Sequence, residues 1–235
     1  MRVTLQPAFI LHQRPFRDSS TLLELFTRDF GRVGLVARGA RGGKSRLRGT
    51  LQAFRPLFVS WVSRGELGTL SAAEPAGPSQ PLSGSAVFSG FYVNELLLRL
   101  LPRQDSHPEL FAPYADVVRE LGEHDGERPL RVFEKRLLES LGYGLLLDCD
   151  AETGAVLEPH ALYEYRLEIG PLTAAGGRPQ GLRMAGSSLL SLHREELMDP
   201  QSMADAKRLL RAALALYLGD RPLKTREVLT RLLHR

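Results

Sequence analysis

The stretch PAGPSQPLSGS, residues 75–85, constrains the fold most, because the hydrophobic period changes across it. Proline fixes φ and removes a backbone donor, while glycine and serine favour turns. Neither a helix nor a central strand runs through such a segment. Residues 1–80 and 81–235 are therefore expected to form separate domains. With 235 residues and 43% hydrophobic side chains, both parts can bury a core.

Upstream of the break the pattern is extended. VTLQPAFILH (3–12), STLLELFT (20–27), RVGLVARG (32–39), FRPLFVSWVSRG (54–65) and ELGTLSAAE (66–74) are short and apolar, with turn residues such as RDFG (28–31) between them. Val33, Leu35 and Ala37 alternate with Arg32, Gly34, Val36 and Arg38. Five such strands predict a small β-barrel. Downstream the pattern is helical: 85–102, 108–122, 129–144, 187–197, 199–219 and 222–235 carry spaced apolar residues. Several are bounded by Ser or Asp-Pro starts and Gly or Pro stops. Residues 148–186 are irregular, with one strand-like run at 163–170. The expected class is α+β, a barrel followed by a mainly helical domain.

The net charge of +4 conceals an asymmetry. Residues 1–80 carry twelve Lys and Arg against five Asp and Glu; residues 81–235 carry nineteen against twenty-two. From Phe30 to Gly65 there are eight cationic residues and no acid. Ordinary solvated surfaces mix signs, so this window points to a polyanionic partner, nucleic acid above all.

At its centre lies GARGGKSRLRG (39–49), whose Gly43-Lys44-Ser45 resembles the tail of a nucleotide-binding loop. The spacing is wrong for that use. Gly39 is followed by three residues where the phosphate cradle needs four, and Arg38 stands where glycine is required. Gly49 and Pro56 then interrupt the helix that should follow. As a nucleic-acid contact the loop makes better sense, since each Arg or Lys releases a condensed counterion on meeting a phosphate. The expected contacts are Arg38, Arg41, Lys44, Arg46 and Arg48, followed by Arg14, Arg32 and Arg55. Stacking of unpaired bases on aromatics adds about 1–3 kcal/mol per base. Phe26 and Phe58 are expected in the core, whereas Phe16, Phe54 and Trp61 are open between core and stacking. An RNA-binding protein of translation or RNA processing fits the same barrel; a nucleotide-dependent enzyme using Gly43-Lys44-Ser45 fits less well.

Catalytic and metal-binding patterns are thin. The histidines at 12, 107, 124, 160, 193 and 234 form no H-x-x-x-H pair, and the single cysteine, Cys149, cannot supply a multi-thiolate zinc site or an intrachain disulfide. No catalytic residues, metal or cofactor are expected. No apolar run reaches the roughly 18–20 residues of a membrane span, and the first 16 residues lack a secretory h-region. A cytoplasmic location without a membrane partner is the expectation.

Several blocks resemble the bacterial recombination mediator family RecO. They are AFILHQRPFRDSSTLLELFTRDFGRVGLVARGAR, LSGSAVFSGFYVNELLLRLL, LRVFEKRLLESLGYG and AKRLLRAALALYLGDRPLKTRE, in order along nearly the whole chain. The resemblance implies a five-stranded OB-fold barrel followed by a helical domain. It also implies binding of single- and double-stranded DNA, ATP-free annealing, and nucleoid-associated work with RecR that loads RecA onto DNA coated by single-stranded-DNA-binding protein (SSB). Some members carry a four-cysteine zinc site in the segment matching 148–186. With Cys149 alone, a zinc-less remnant held by packing is expected here. The family also binds the acidic, apolar SSB tail, and the matching arginine is Arg131, with Leu130 and Phe133 beside it as part of an apolar pocket to which Leu137 and Leu138 also add.

Overall fold

The computed structural model describes residues 1–43, 45, 47–78, 81–123, 126–174, 179–225 and 227–228. It divides into two compact units, Met1–Asp125 with Arg221–Arg235, and Gly126–Asp220.

In the first unit, β1 (Arg2–Phe16), β2 (Ser20–Thr27), β3 (Gly31–Ala37), β4 (Leu57–Ser63) and β5 (Leu67–Pro75) close into a barrel of order β1-β2-β3-β5-β4. All neighbours are antiparallel except β3 and β5, which pair parallel with Leu35 opposite Gly68. This is the OB-fold arrangement. Ile10, Leu23, Leu25, Leu35, Leu57, Val59 and Trp61 fill the interior, one face of each pleated strand. Because β3 and β4 are not neighbours, the connection between them must cross the end of the barrel. It consists of the glycine-rich loop, the single helical turn α1 (Leu47–Thr50) and residues 51–56.

Helices α2 (Ser85–Leu100) and α3 (Pro108–Glu123) belong to this same unit. Compactness therefore does not divide at the proline-rich break, although periodicity does. Phe9 and Phe26 face out of the barrel and meet Phe111 and Tyr114 of α3, with ring centroids 5.0–5.7 Å apart. The β1–β2 register shifts between Ile10 and His12, so Leu11 is a bulge residue. Its carbonyl accepts from Asn94 Nδ2 of α2 at 2.9 Å, and Tyr114 Oη donates to Asn94 Oδ1 at 2.6 Å. Residues 103–107 lie along β3: Gln104 N donates to Arg32 O at 2.8 Å. Gly31, at φ 58°, admits them, since a Cβ there would stand 1.7 Å from Asp105 O. Residues 221–225 return to α2, where Glu95 accepts from the backbone N–H groups of Lys224 and Thr225 at 2.8 and 2.9 Å. The terminal helix expected over 222–235 falls largely outside the described residues.

The second unit contains α4 (Arg128–Ser140), α5 (Gly186–His193) and α6 (Pro200–Leu218), with a sheet of order β7-β6-β8 made by β6 (Leu162–Arg166), β7 (Gly170–Thr173) and β8 (Leu182–Ala185). Asp199 caps α6 by accepting from Ser202 N at 2.8 Å, and Gly219 ends it at φ 67°. The run 163–170 is two strands rather than one. A turn at 167–169 reverses it, with Glu168 at φ 65°. Packing alone does not hold the 148–186 segment: the Asp150 carboxylate accepts five hydrogen bonds. Three come from Glu152 N, Thr153 N and Thr153 Oγ1, and two from Thr173 N and Oγ1, all at 2.8–3.1 Å.

Candidate nucleic-acid interface

The β1–β2 hairpin and the β3–β4 crossing meet at one end of the barrel. Arg41 N donates to Ser19 O at 2.9 Å, and Arg41 Nη1 to Arg17 O at 3.2 Å, which anchors the start of the loop on the hairpin turn. Gly39 turns the chain at φ 66°, and Leu51, buried in the barrel core, ties down the far side. Between them lies a pocket of about 460 Å³ lined by Gln13, Arg14, Pro15, Thr21, Ala40, Arg41, Arg48 and Leu51. Arg14, Arg41 and Arg48 are exposed and form no ion pair among the described residues. No acid is among the described residues that line the pocket. Two of the barrel's five acids are engaged elsewhere, Asp29 by Arg28 at 2.8 Å and Glu24 by Arg32 and Arg103. The arrangement gives three uncompensated guanidiniums with hydroxyl and amide donors beside them, suited to phosphate oxygens.

The eight sequence-derived contacts thus separate. Arg14, Arg41 and Arg48 converge. Arg38 is exposed just beyond β3 but does not line the pocket, and Lys44 and Arg46 lie outside the described residues. Arg32 stands apart from them: it is half-buried, ion-paired with Glu24 at 3.7 Å, and donates to Leu98 O of α2. Burial pulls its pKa down. It fastens the barrel to α2 and offers no free charge to a phosphate. Arg55 donates to Gly49 O at 3.2 Å and is half-buried, so it braces the crossing from below.

The aromatics separate as well. Trp61 is a core residue with Phe30 edge-on at 5.4 Å, and Phe54 packs against Phe91 of α2 at 5.1 Å. Neither presents a face to a base. Phe26 is fully buried against α3, and Phe58 is half-buried. Phe16 is half-buried with the Arg17 guanidinium 5.3 Å over its ring. Arg17 itself, exposed on the hairpin turn at φ 53°, escaped sequence reading because Asp18 beside it makes the turn look neutral. The Gly43-Lys44-Ser45 run precedes a single helical turn, and β4 follows it, so the strand-to-helix frame of a nucleotide cradle is missing around it.

Family models for the N-terminal and C-terminal regions of recombination protein O match residues 1–79 and 82–227. The chain belongs to the RecO family. It is 52% identical to the DNA repair protein RecO of Alkalilimnicola ehrlichii over 96% of this chain and 90% of that protein. It is 47% identical to that of Nitrosococcus oceani, over 99% and 95%, and 44% identical to that of Coxiella burnetii, over 97% and 98%. The basic barrel is therefore the N-terminal region of a RecO-family DNA repair and recombination protein. In this RecO-family chain the second expected site is less open than the basic pocket. Arg131 on α4 is 6% exposed, and its guanidinium meets Glu134 Oε1 at 2.6 Å. Phe133, Leu137 and Leu138 are core residues, and Leu130 is 9% exposed. Arg131, Leu130 and Phe133 thus lie together on α4, with the arginine in a buried ion pair.

Proposed function

We propose that this protein is a recombination mediator whose barrel end binds the phosphates of single- and double-stranded DNA. It anneals complementary strands without ATP and, with RecR, loads RecA onto SSB-coated DNA at the nucleoid. The observation that carries the reading is the convergence of Arg14, Arg41 and Arg48 on one pocket with no acid among its described lining residues. Two strands repel through their phosphates, and cations held between them lower that barrier while base pairing supplies the driving force. Arg38, Lys44 and Arg46 extend the same surface in this reading, on the charge pattern of 38–48.

Changing Arg14, Arg41 and Arg48 to alanine is expected to weaken DNA binding and flatten its salt dependence, by up to about 0.7–0.9 in log–log slope per lost phosphate contact. All three side chains are exposed, so the fold persists. An unchanged slope in the folded variant moves the DNA site elsewhere. Matched RNA competing as well as DNA favours an RNA-binding role.

For the SSB tail, the reading is a carboxylate exchange at Arg131, in which the tail's terminal carboxylate takes the place of Glu134. The guanidinium stays paired throughout, and the exchange requires the buried Glu134 carboxylate to turn out to water or take up a proton. Arg131→Ala removes the guanidinium from a buried carboxylate, a loss of about 3–5 kcal/mol in stability that confuses any binding measurement. Glu134→Gln is the informative change. It is expected to tighten binding of a tail peptide and leave naked-DNA binding intact; unchanged or weaker peptide binding rejects the exchange.

A further inference from the structure

The unit Gly126–Asp220 carries an aromatic pocket to which nothing above gives a role. Helix α4 ends on Gly142 at φ 80°, and Tyr143, the next residue, lays its ring on Tyr217 of α6 with centroids 3.7 Å apart and planes at 13°. With Leu146, Ile169 and Leu216 they line a cavity of about 230 Å³. Tyr143 is 44%, Ile169 56% and Leu216 47% exposed. Three large apolar side chains left in water around one concavity are an uncovered docking face, not isolated surface residues.

The rim says what covers it. Glu168 lines the pocket from the β6–β7 turn, at φ 65°. That left-handed conformation is unfavourable for a side chain of this kind and is ordinarily filled by Gly or Asn. A carboxylate stands there although the backbone disfavours it. Burial first, then the Glu168 charge, pushes the Tyr217 hydroxyl pKa up. Glu139 stands beside the lining residue Gly144, where a Cβ would lie 3.6 Å from Glu139 Cγ, and shares its charge with Lys135 at 3.0 Å. The nearby Arg166 is engaged by Glu164 at 3.0 Å. Glu168 is thus the one charged residue among the described lining residues, and its sign favours a cation over an anion at this edge of the pocket.

We propose that this pocket docks a protein segment that inserts an aliphatic side chain beside Tyr143 and Tyr217 and sets a Lys or Arg of the same segment against Glu168. The exposed Tyr143 ring adds a π-face for that cation, and the alternation of apolar and basic side chains is what an amphipathic helix presents to a groove.

The test uses two synthetic helical peptides, one of leucine and lysine at heptad spacing and one of leucine and glutamate. Each is titrated into the full-length protein and its Glu168→Asn, Glu168→Lys and Ile169→Asp variants. The leucine–lysine peptide is expected to bind the wild type at least tenfold more tightly than the leucine–glutamate peptide. Glu168→Asn and Ile169→Asp each weaken it at least tenfold, and Glu168→Lys transfers the preference to the acidic peptide. Asparagine suits a left-handed backbone, so Glu168→Asn melts no lower than wild type and its loss of binding is not unfolding. Equal affinity of wild type and Glu168→Asn for the basic peptide, equal binding of both peptides, or no binding overturns the proposal.

Discussion

The Asp150 carboxylate shows how much a single side chain can hold. Its five hydrogen bonds, with that from the Thr153 backbone N–H the strongest influence, keep the carboxyl at a pKa of about 2, well below the usual carboxylate range. A pKa lower in the folded than in the unfolded chain means that its contribution is complete above about pH 4, where the unfolded carboxylate is ionised. The contribution is lost as pH falls through about 2. Acid is expected to loosen the 148–173 region over that window, seen as faster hydrogen exchange at the amides of Thr153 and Thr173. Asp150→Asn should cost about 1–3 kcal/mol at neutral pH in a urea titration, since an amide nitrogen cannot accept from Thr173 and the charge-assisted hydrogen bonds are lost. In the sequence, the DCD run at 148–150 reads as solvated or capping charge; the local bonds to Glu152 and Thr153 fit a cap, and the link to Thr173 had no local signal. Arg131 was illegible for a related reason. Glu134 lies three residues on, an ordinary helical neighbour, and only tertiary packing decides whether the pair is wet or buried. The arginines of 38–48 were legible because their sign was unbalanced over a long window, a property that survives ignorance of the fold.

Among the elements, the barrel's attachment to its helices turns on one irregularity of β1. A bulge at Leu11 takes a carbonyl out of the sheet ladder, and Asn94 supplies the missing donor while Tyr114 satisfies the amide oxygen. Tyr114→Phe leaves that oxygen buried without its hydroxyl donor, and about 1–2 kcal/mol of stability should be lost in a urea titration. Binding of DNA to the folded variant should match wild type. The five strands and the helices of this unit were readable as elements, since period two and period 3.6 are local signals. The bulge was not, because it depends on which carbonyl α2 reaches. Nor was the division of Glu168's neighbourhood into two strands: a left-handed glutamate is the last residue a turn rule would choose.

For the chain as a whole, closure of the barrel is non-local. The parallel β3–β5 pair and the β1–β4 seam join residues 30 to 60 positions apart, and no periodicity announces such partners. The charge asymmetry was visible in the bare sequence, yet its use depended on that closure. Only because β3 and β4 are not neighbours does the basic segment have to span the barrel's end and meet Arg14 on β1. A strand order that made 38–56 a hairpin would have spread the same arginines along an edge.

The return of residues 221–225 to Glu95 and Arg99 has a consequence in time. A ribosome adds about 5–20 residues per second, so the segment between Gly126 and Asp220 takes roughly 5–20 s to emerge. Until it has, the first unit lacks its last strap. The barrel and its two helices therefore gain this strap only after the unit inserted between them has been made.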